Sequence, residues 1–265
     1  MEESMRKVLF TTLIVIAVLL VAIQPASAIT YGQLDGSSHP NVGALSVDFA
    51  SGRDWVCSGT LIAPQVFLTA AHRVDWLVPQ GITTVYVSFE PEFNAATNTF
   101  YSGHYHMAPI DKNGMAHDYD IAVIQLDQPV PGIAPASLPA QGFFDQMTPS
   151  DLHGQLFTAV GYGSTGRTNG GGPPYFNYDG IRRNALTSYN SIDKNWLHLS
   201  MNPATGDGGT CYGDSGGPNF FGAGQNETNI IAGLTVTGDM VCRATNVIIR
   251  LDTVAAHQFI DQYLP

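Results

Sequence analysis

The hexapeptide GDSGGP at 213–218 sets one hydroxyl among three glycines, with a carboxylate before it and a proline after. Missing side chains let a substrate carbonyl come close, so that the N–H groups of Gly213 and Ser215 could both face an oxygen gaining negative charge. Serine is a weak nucleophile at its own pKa and needs a base, which in turn needs an orienting partner. Two other segments carry those residue types: FLTAAH at 67–72 places His72 at the end of an apolar strand, and DYDIAVIQL at 118–126 places Asp120 at the head of a buried one. A single His or Asp at a strand end is usually structural. Three such positions in one chain point to acyl transfer, with Ser215 attacking, His72 carrying the proton and Asp120 holding the imidazole.

Gly213 to Gly217 also satisfies G-x-S-x-G, the nucleophile elbow of α/β-hydrolases, and Asp252 and His257 lie downstream in the order those enzymes use. An elbow must lead straight into a helix, which GGPNFFGAGQ at 216–225 cannot form, and no alternation of strands and helices precedes it. An esterase of that fold is therefore a minor alternative. A non-catalytic binding protein is the alternative from a different functional class.

The elements that would position these groups are short. Only 12% of residues are charged, against 28 glycines and 16 prolines, a composition that suits strands and turns better than long helices. Strands are expected near 43–49, 57–63, 66–69, 84–89, 121–126, 156–160, 230–236 and 247–251, a spacing that favours an all-β sandwich or barrel. The proline-rich stretch at 128–142 cannot continue a sheet and reads as a connection between two halves, residues 29–135 and 136–265. The one good helix lies in the tail, DTVAAHQFIDQYLP at 252–265, where Asp252 or Thr253 can cap it. Residues 167–180 read as a long loop, and no internal repeats occur.

Residues 1–28 read as a signal peptide: Arg6 and Lys7 precede an apolar run from Val8 to Ile23, and Ala26-Ser27-Ala28 is a small-residue cleavage signature. The run is too short for a membrane anchor and stops at Gln24-Pro25. The protein is expected to be secreted, extracellular and free of the membrane after cleavage. A net charge of −11 makes nucleic acid a poor partner. Three cysteines in an exported chain suggest one disulfide and one remaining thiol.

The chain resembles a trypsin/chymotrypsin-type (S1 family) serine protease. CSGTLIAPQVFLTAAH at 57–72, DYDIAVIQL at 118–126 and GDSGGP at 213–218 are similar to that family's segments around its catalytic His, Asp and Ser, in that order, with weaker likeness at VGYG 160–163 and in the final helix. The resemblance implies two antiparallel six-stranded β-barrels with a C-terminal helix, His72 and Asp120 coming from the first barrel and Ser215 from the second. It implies a monomeric endopeptidase without cofactor or metal, acting on proteins or peptides, with an oxyanion hole at Gly213 and Ser215. It pairs Cys211 with Cys242 and leaves Cys57 a buried thiol, because the position of Cys57's usual partner holds Arg73. Where relatives place a Ser supporting the buried Asp, this chain has Val236, which leaves Asp120 to backbone N–H groups near Ala71 and His72. The pocket floor is Gly209 and the walls are Thr210, Thr237, Gly238 and Asn246, so an uncharged P1 side chain is expected, with Asp207 and Asp239 close enough in sequence to challenge that. Ile29-Thr-Tyr-Gly32 resembles the family's mature start, whose amine pairs with the Asp before the nucleophile, here Asp214. With no room for a propeptide between Ala28 and Ile29, the export cut would also be the activating cut.

Other features carry less. His104 and His106 could share one face of a strand, but a third ligand is missing and a surface strand is the plainer reading. Asp111-Lys112-Asn113-Gly114 reads as a turn, and Asn226-Glu227-Thr228 is a glycosylation sequon if the host is eukaryotic.

Overall fold

The computed structural model describes residues 29–109, 119–165 and 177–265. After the two-residue strand β1 (Gln33–Leu34) come β2 (Val42–Phe49), β3 (Gly52–Ala63), β4 (Val66–Thr69), β5 (Thr84–Ser88), β6 (Tyr101–Met107) and β7 (Ala122–Leu126). Strands β2 to β7 close into an antiparallel barrel in the order β2-β3-β4-β7-β6-β5. The second barrel uses β8 (Leu156–Gly161), β9 (Arg183–Ile192), β10 (Trp196–Ser200), β11 (Pro218–Phe221), β12 (Ile231–Gly238) and β13 (Thr245–Arg250). Its ring β9-β10-β13-β12-β11-β8 closes through the β8–β9 pairing, and β1 adds to the outside of β9. The fold is therefore all-β, with two closed six-stranded barrels.

Closure explains the sequence pattern. Each barrel fills its own interior, with Leu45, Leu61, Phe67, Val87 and Ile124 in the first and Phe157, Leu197, Leu199 and Ile248 in the second. A third cluster, including Val42, Leu68, Val123, Val160, Phe220 and Leu234, draws on both barrels. Strands that contribute to two cores, such as β4, are buried along their whole length and read as continuous apolar runs. Strands β6, β9, β10 and β11 escaped the apolar count: YSGHYHM and RNALTSYNSI are largely polar, WLHLS is short, and PNFF begins on a proline.

Among the described residues, three short α-helices occur: α1 (His72–Asp75), α2 (Pro149–Leu152) and α3 (Val254–Ile260). Helix α3 is the expected tail helix, capped by the Thr253 side chain, which accepts from Ala256 N–H at 3.2 Å. Asp252 instead lies buried against Arg250. The 128–142 stretch contains no strand and is stitched to both barrels, Ala136 N–H donating to Leu61 C=O and Ser137 N–H to Asn229 C=O. The first and last described segments each reach the opposite barrel. Thr30 bridges to Gly209 and β1 joins the second barrel, while Tyr263, beyond α3, stacks on His106 of the first at 4.7 Å.

The α/β-hydrolase alternative is overturned here. Ser215 leads into strand β11, not a helix, and every strand pairing within the two barrels is antiparallel. No helix among the described residues is long and apolar enough to cross a membrane. Residues 1–28, the Asp111 turn and most of the 167–180 loop lie outside the described residues.

Candidate active site

His72 is the first residue of α1, three residues past the end of β4, after Ala70 and Ala71, both fully buried. Asp120 lies two residues before β7, the strand hydrogen-bonded to β4. That pairing sets the two side chains next to each other. Asp120 has no solvent exposure, and its carboxylate grips His72 twice: Oδ1 accepts the His72 backbone N–H at 2.7 Å and Oδ2 faces Nδ1 at 2.5 Å. The bond to Nδ1 holds that nitrogen as the donor, leaving Nε2 to accept a proton. Val236 places no polar atom near Asp120 and lines the cleft instead.

Ser215 arrives from the second barrel on a turn locked to β12, with Gly216 N–H donating to Thr235 C=O at 2.8 Å and Thr235 N–H to Gly217 C=O at 2.9 Å. Gly216 has φ +79, and a Cβ there would lie 2.1 Å from Thr69 Oγ1 and 2.6 Å from Ala70 N. Only a glycine allows the serine turn to press against the strand end that carries His72. His72 and Ser215 accordingly line one cavity of about 310 Å³ between the barrels. Gly213, with φ +97, lies flat against the Trp55 ring of β3. The N–H groups of Asp214, Gly216 and Gly217 all donate within the protein, whereas those of Gly213 and Ser215 donate to no acceptor among the described residues. Two neighbouring backbone donors beside a serine are what a developing oxyanion requires.

Asp214 is fully buried, with Oδ1 accepting Gly163 N–H at 2.7 Å and Oδ2 accepting Cys211 N–H at 2.8 Å. Glycines give it room: a Cβ at Gly163 would fall 2.4 Å from Asp214 Cγ. Burial pushes its pKa up to about 7, and the two backbone donors restrain the rise only in part. Among the described residues no cation lies within ion-pair distance of it. Ile29 is also fully buried, at φ +49, a backbone region that a β-branched residue rarely adopts. The following Thr30 is held to Gly209, its Oγ1 donating to Gly209 C=O at 3.2 Å and its C=O accepting Gly209 N–H at 3.0 Å.

Of the expected pocket residues, Thr210, Thr237 and Gly238 line the cavity. Gly209 and Asn246 do not. A Cβ on Gly209 would sit 2.3 Å from Met201 Cγ, so the buried Met201 backs the floor, and Asn246 lies behind the wall, accepting from Thr210 Oγ1 at 2.8 Å and donating to Asn219 Oδ1 at 2.9 Å. Asp207 is buried away from the cavity, accepting from Ser188 Oγ and Thr205 Oγ1. Asp239 does line it, but its carboxylate collects the N–H groups of Arg243, Ala244 and Thr245, which overcome the effect of burial and hold its pKa low. Sequence reasoning missed Met201, Tyr212 and Met240, the last two lining the mouth with 46% and 80% exposure. Tyr212 adjoins the GDSGGP segment in sequence, whereas only the chain's path brings Met201 and Met240 to this cavity.

Cys211 and Cys242 are joined by a disulfide beside this cavity. Cys57 is a free, buried thiol with Sγ 3.4 Å from Thr69 Oγ1, its pKa raised by burial. No cluster of three metal-ligating side chains occurs among the described residues. His104 donates from Nδ1 to Thr83 C=O, and His106 stacks on Tyr263.

Two closed barrels share a cleft lined by the His72–Asp120 pair's imidazole and by Ser215, a double-barrel scaffold. The family model described as Trypsin matches residues 35–257, and the chain belongs to the trypsin family. It is 31% identical over 202 residues to CLIP domain-containing serine protease B10 of Anopheles gambiae, covering 63% of this chain and 50% of that one. It is 32% identical over 184 residues to snake venom serine protease serpentokallikrein-1 of Protobothrops mucrosquamatus, covering 64% of each. The chain thus spans about half to two thirds of these relatives. A solved mutant of human heparin binding protein shares the fold, with a TM-score of 0.62, 19% identity, and coverage of 87% of this chain and 94% of that one.

Proposed function

We propose that the protein is a secreted serine endopeptidase acting on proteins or peptides as a monomer. Ser215 Oγ attacks the scissile carbonyl while its proton passes to His72 Nε2. The oxyanion is held by the N–H groups of Gly213 and Ser215. His72 then returns the proton to the departing amine, leaving an acyl ester on Ser215, and water activated by His72 releases the acid. Asp120 keeps the imidazole in its working tautomer and stabilises its cation. The observation that carries this reading is the cleft lined by both an Asp-held imidazole and Ser215, whose own N–H and that of Gly213 are available donors.

An uncharged P1 side chain fits between Thr210, Thr237 and Gly238, with Asp239 turned toward its own loop. The new amine at Ile29, freed by the export cut, pairs with Asp214. Three facts support this pair: both residues are fully buried, Thr30 is anchored to the serine-bearing segment, and Asp214 is a buried carboxylate in want of a cation. Mass spectrometry of the exported N-terminus, combined with a fluorophosphonate probe on Ser215 and hydrolysis of casein, tests the whole reading. Labelling and cleavage that both vanish in Ser215→Ala are expected. An unlabelled serine in folded wild type would instead favour a binding protein on this fold. Binding of a polyanion such as heparin is not favoured for a chain of net charge −11.

A further inference from the structure

Arg73 follows His72 directly and lines the same cavity. Its carbonyl is occupied by Trp76 Nε1 at 2.9 Å, but its Nε is buried without a hydrogen-bond partner, and no carboxylate among the described residues lies within ion-pair distance of its guanidinium. A buried, unmatched guanidinium nitrogen is costly unless something meets it in the working state. Burial raises the pKa of Asp214, Tyr178 and the Cys57 thiol, and the Arg73 charge moderates each rise without reversing it; the Cys57 thiol is also within hydrogen-bond reach of the Arg73 side chain.

The cleft has two chemically different sides. The pocket walls Thr210, Thr237 and Gly238, with Asp239 at the mouth, all come from the second barrel. Across Ser215 and Gly213, the first barrel supplies Arg73 from α1 and Trp55 from β3, whose ring packs on Gly213 and meets Tyr178 at a centroid distance of 5.6 Å. If the acyl half of a substrate fills the second-barrel pocket, the departing amine must lie beside His72, which protonates it, and the residue it carries extends toward Arg73.

Resting on the proteolytic reading above, we propose that Arg73 selects the leaving-group side of the substrate, favouring an acidic residue directly after the scissile bond. The guanidinium fork suits a carboxylate. A chain of net charge −11 otherwise repels acidic peptides, so a local cation beside the base also selects where such a peptide can dock.

The test is a digest of an unfolded protein mixture by the mature enzyme, with the residue following each cut counted by mass spectrometry. Such a mixture presents every P1 residue at once, so the count holds whichever one the pocket accepts. Wild type is expected to cut about five-fold more often before Asp or Glu than before Lys or Arg, after correction for abundance. The ratio should fall toward one in 1 M salt, where the Debye length is about 3 Å. Arg73→Gln should bring it near one at low salt, and Arg73→Lys should keep its direction. A wild-type ratio near one overturns the proposal, as does an Arg73→Gln enzyme with lowered turnover and an unchanged ratio, which would make the residue structural. A wild-type chain that cuts nothing and leaves Ser215 unlabelled overturns the proteolytic reading along with it. Cleavage without discrimination overturns this inference alone.

Discussion

Asp120 shows how little is needed to hold a buried charge: two hydrogen bonds, both to one residue, and no solvent. Asp120→Asn keeps the shape but removes the acceptor that fixes His72's tautomer. Turnover is expected to fall by about 10³- to 10⁴-fold with KM little changed, read from steady-state kinetics. Asp214 behaves differently because its charge lacks a partner. A pKa raised to about 7 favours the protonated form, so this group's contribution to stability is complete below its unfolded value near 3.8 and is lost as pH rises through 7. In a Ser215→Ala background, the chain that continues before Ile29 should therefore lose Tm between pH 5 and 8 relative to the chain that starts at Ile29, where the amine supplies the cation. Equal pH profiles for the two chains would remove the Ile29–Asp214 pair. These residues were legible in the sequence because glycine-rich turns and strand-end polar residues have strong local signatures. Met201 and Met240 have none.

At the scale of elements, the segment bearing the serine is clamped on several sides. The Cys211–Cys242 disulfide closes a loop with a sequence separation of 31, and losing it costs roughly 3 to 4 kcal/mol in the chain-entropy model. Denaturant unfolding with and without reductant should show that loss, with Cys57 contributing nothing because its thiol is already free. Thr253 caps α3, and Thr253→Ala is expected to cost about 1 kcal/mol in the same measurement without touching activity. Apolar strands and the tail helix could be read from period and capping. Strands β6, β9 and β10 could not, because a barrel strand can carry polar residues on its outer face, and its pairing partners are far away in sequence.

Across the whole molecule, one buried cation ties the barrels together. Arg182, 1% exposed, donates to Asp35 Oδ2, to the carbonyls of Val42, Phe89 and Gly36, and to Tyr162 Oη. His39 extends the network, lying 2.5 Å from Asp35 and 2.7 Å from Glu227 and stacking on Phe220. Burial alone would lower the His39 pKa, but the bonds and charges of Asp35 and Glu227 outweigh it and raise the value to about 9. Its stabilisation is therefore complete below pH 6.5 and lost as pH climbs through 9. For Asp35, His39, Asn184 and Arg182 together overcome burial and hold the pKa at about 2, so its share is present above pH 3.8 and disappears on acidification toward 2. His39→Gln should lower Tm at neutral pH and flatten the alkaline decline between pH 6.5 and 9, as measured by thermal unfolding.

By itself, the sequence determined the chemistry on offer: a serine between glycines, a base and an acid at strand ends, and a composition able to build strands and turns. Those properties are local, carried by residue type and short spacing. Tertiary structure alone decided that β4 and β7 pair so that Asp120 reaches His72, that Gly216 packs on Thr69, and that Arg73 stands with an unpartnered nitrogen on the first-barrel side of the cleft. The physical reason is that barrel closure and the packing of Thr30 and Tyr263 against the opposite barrels depend on contacts between residues as many as 188 positions apart, which no window of sequence contains.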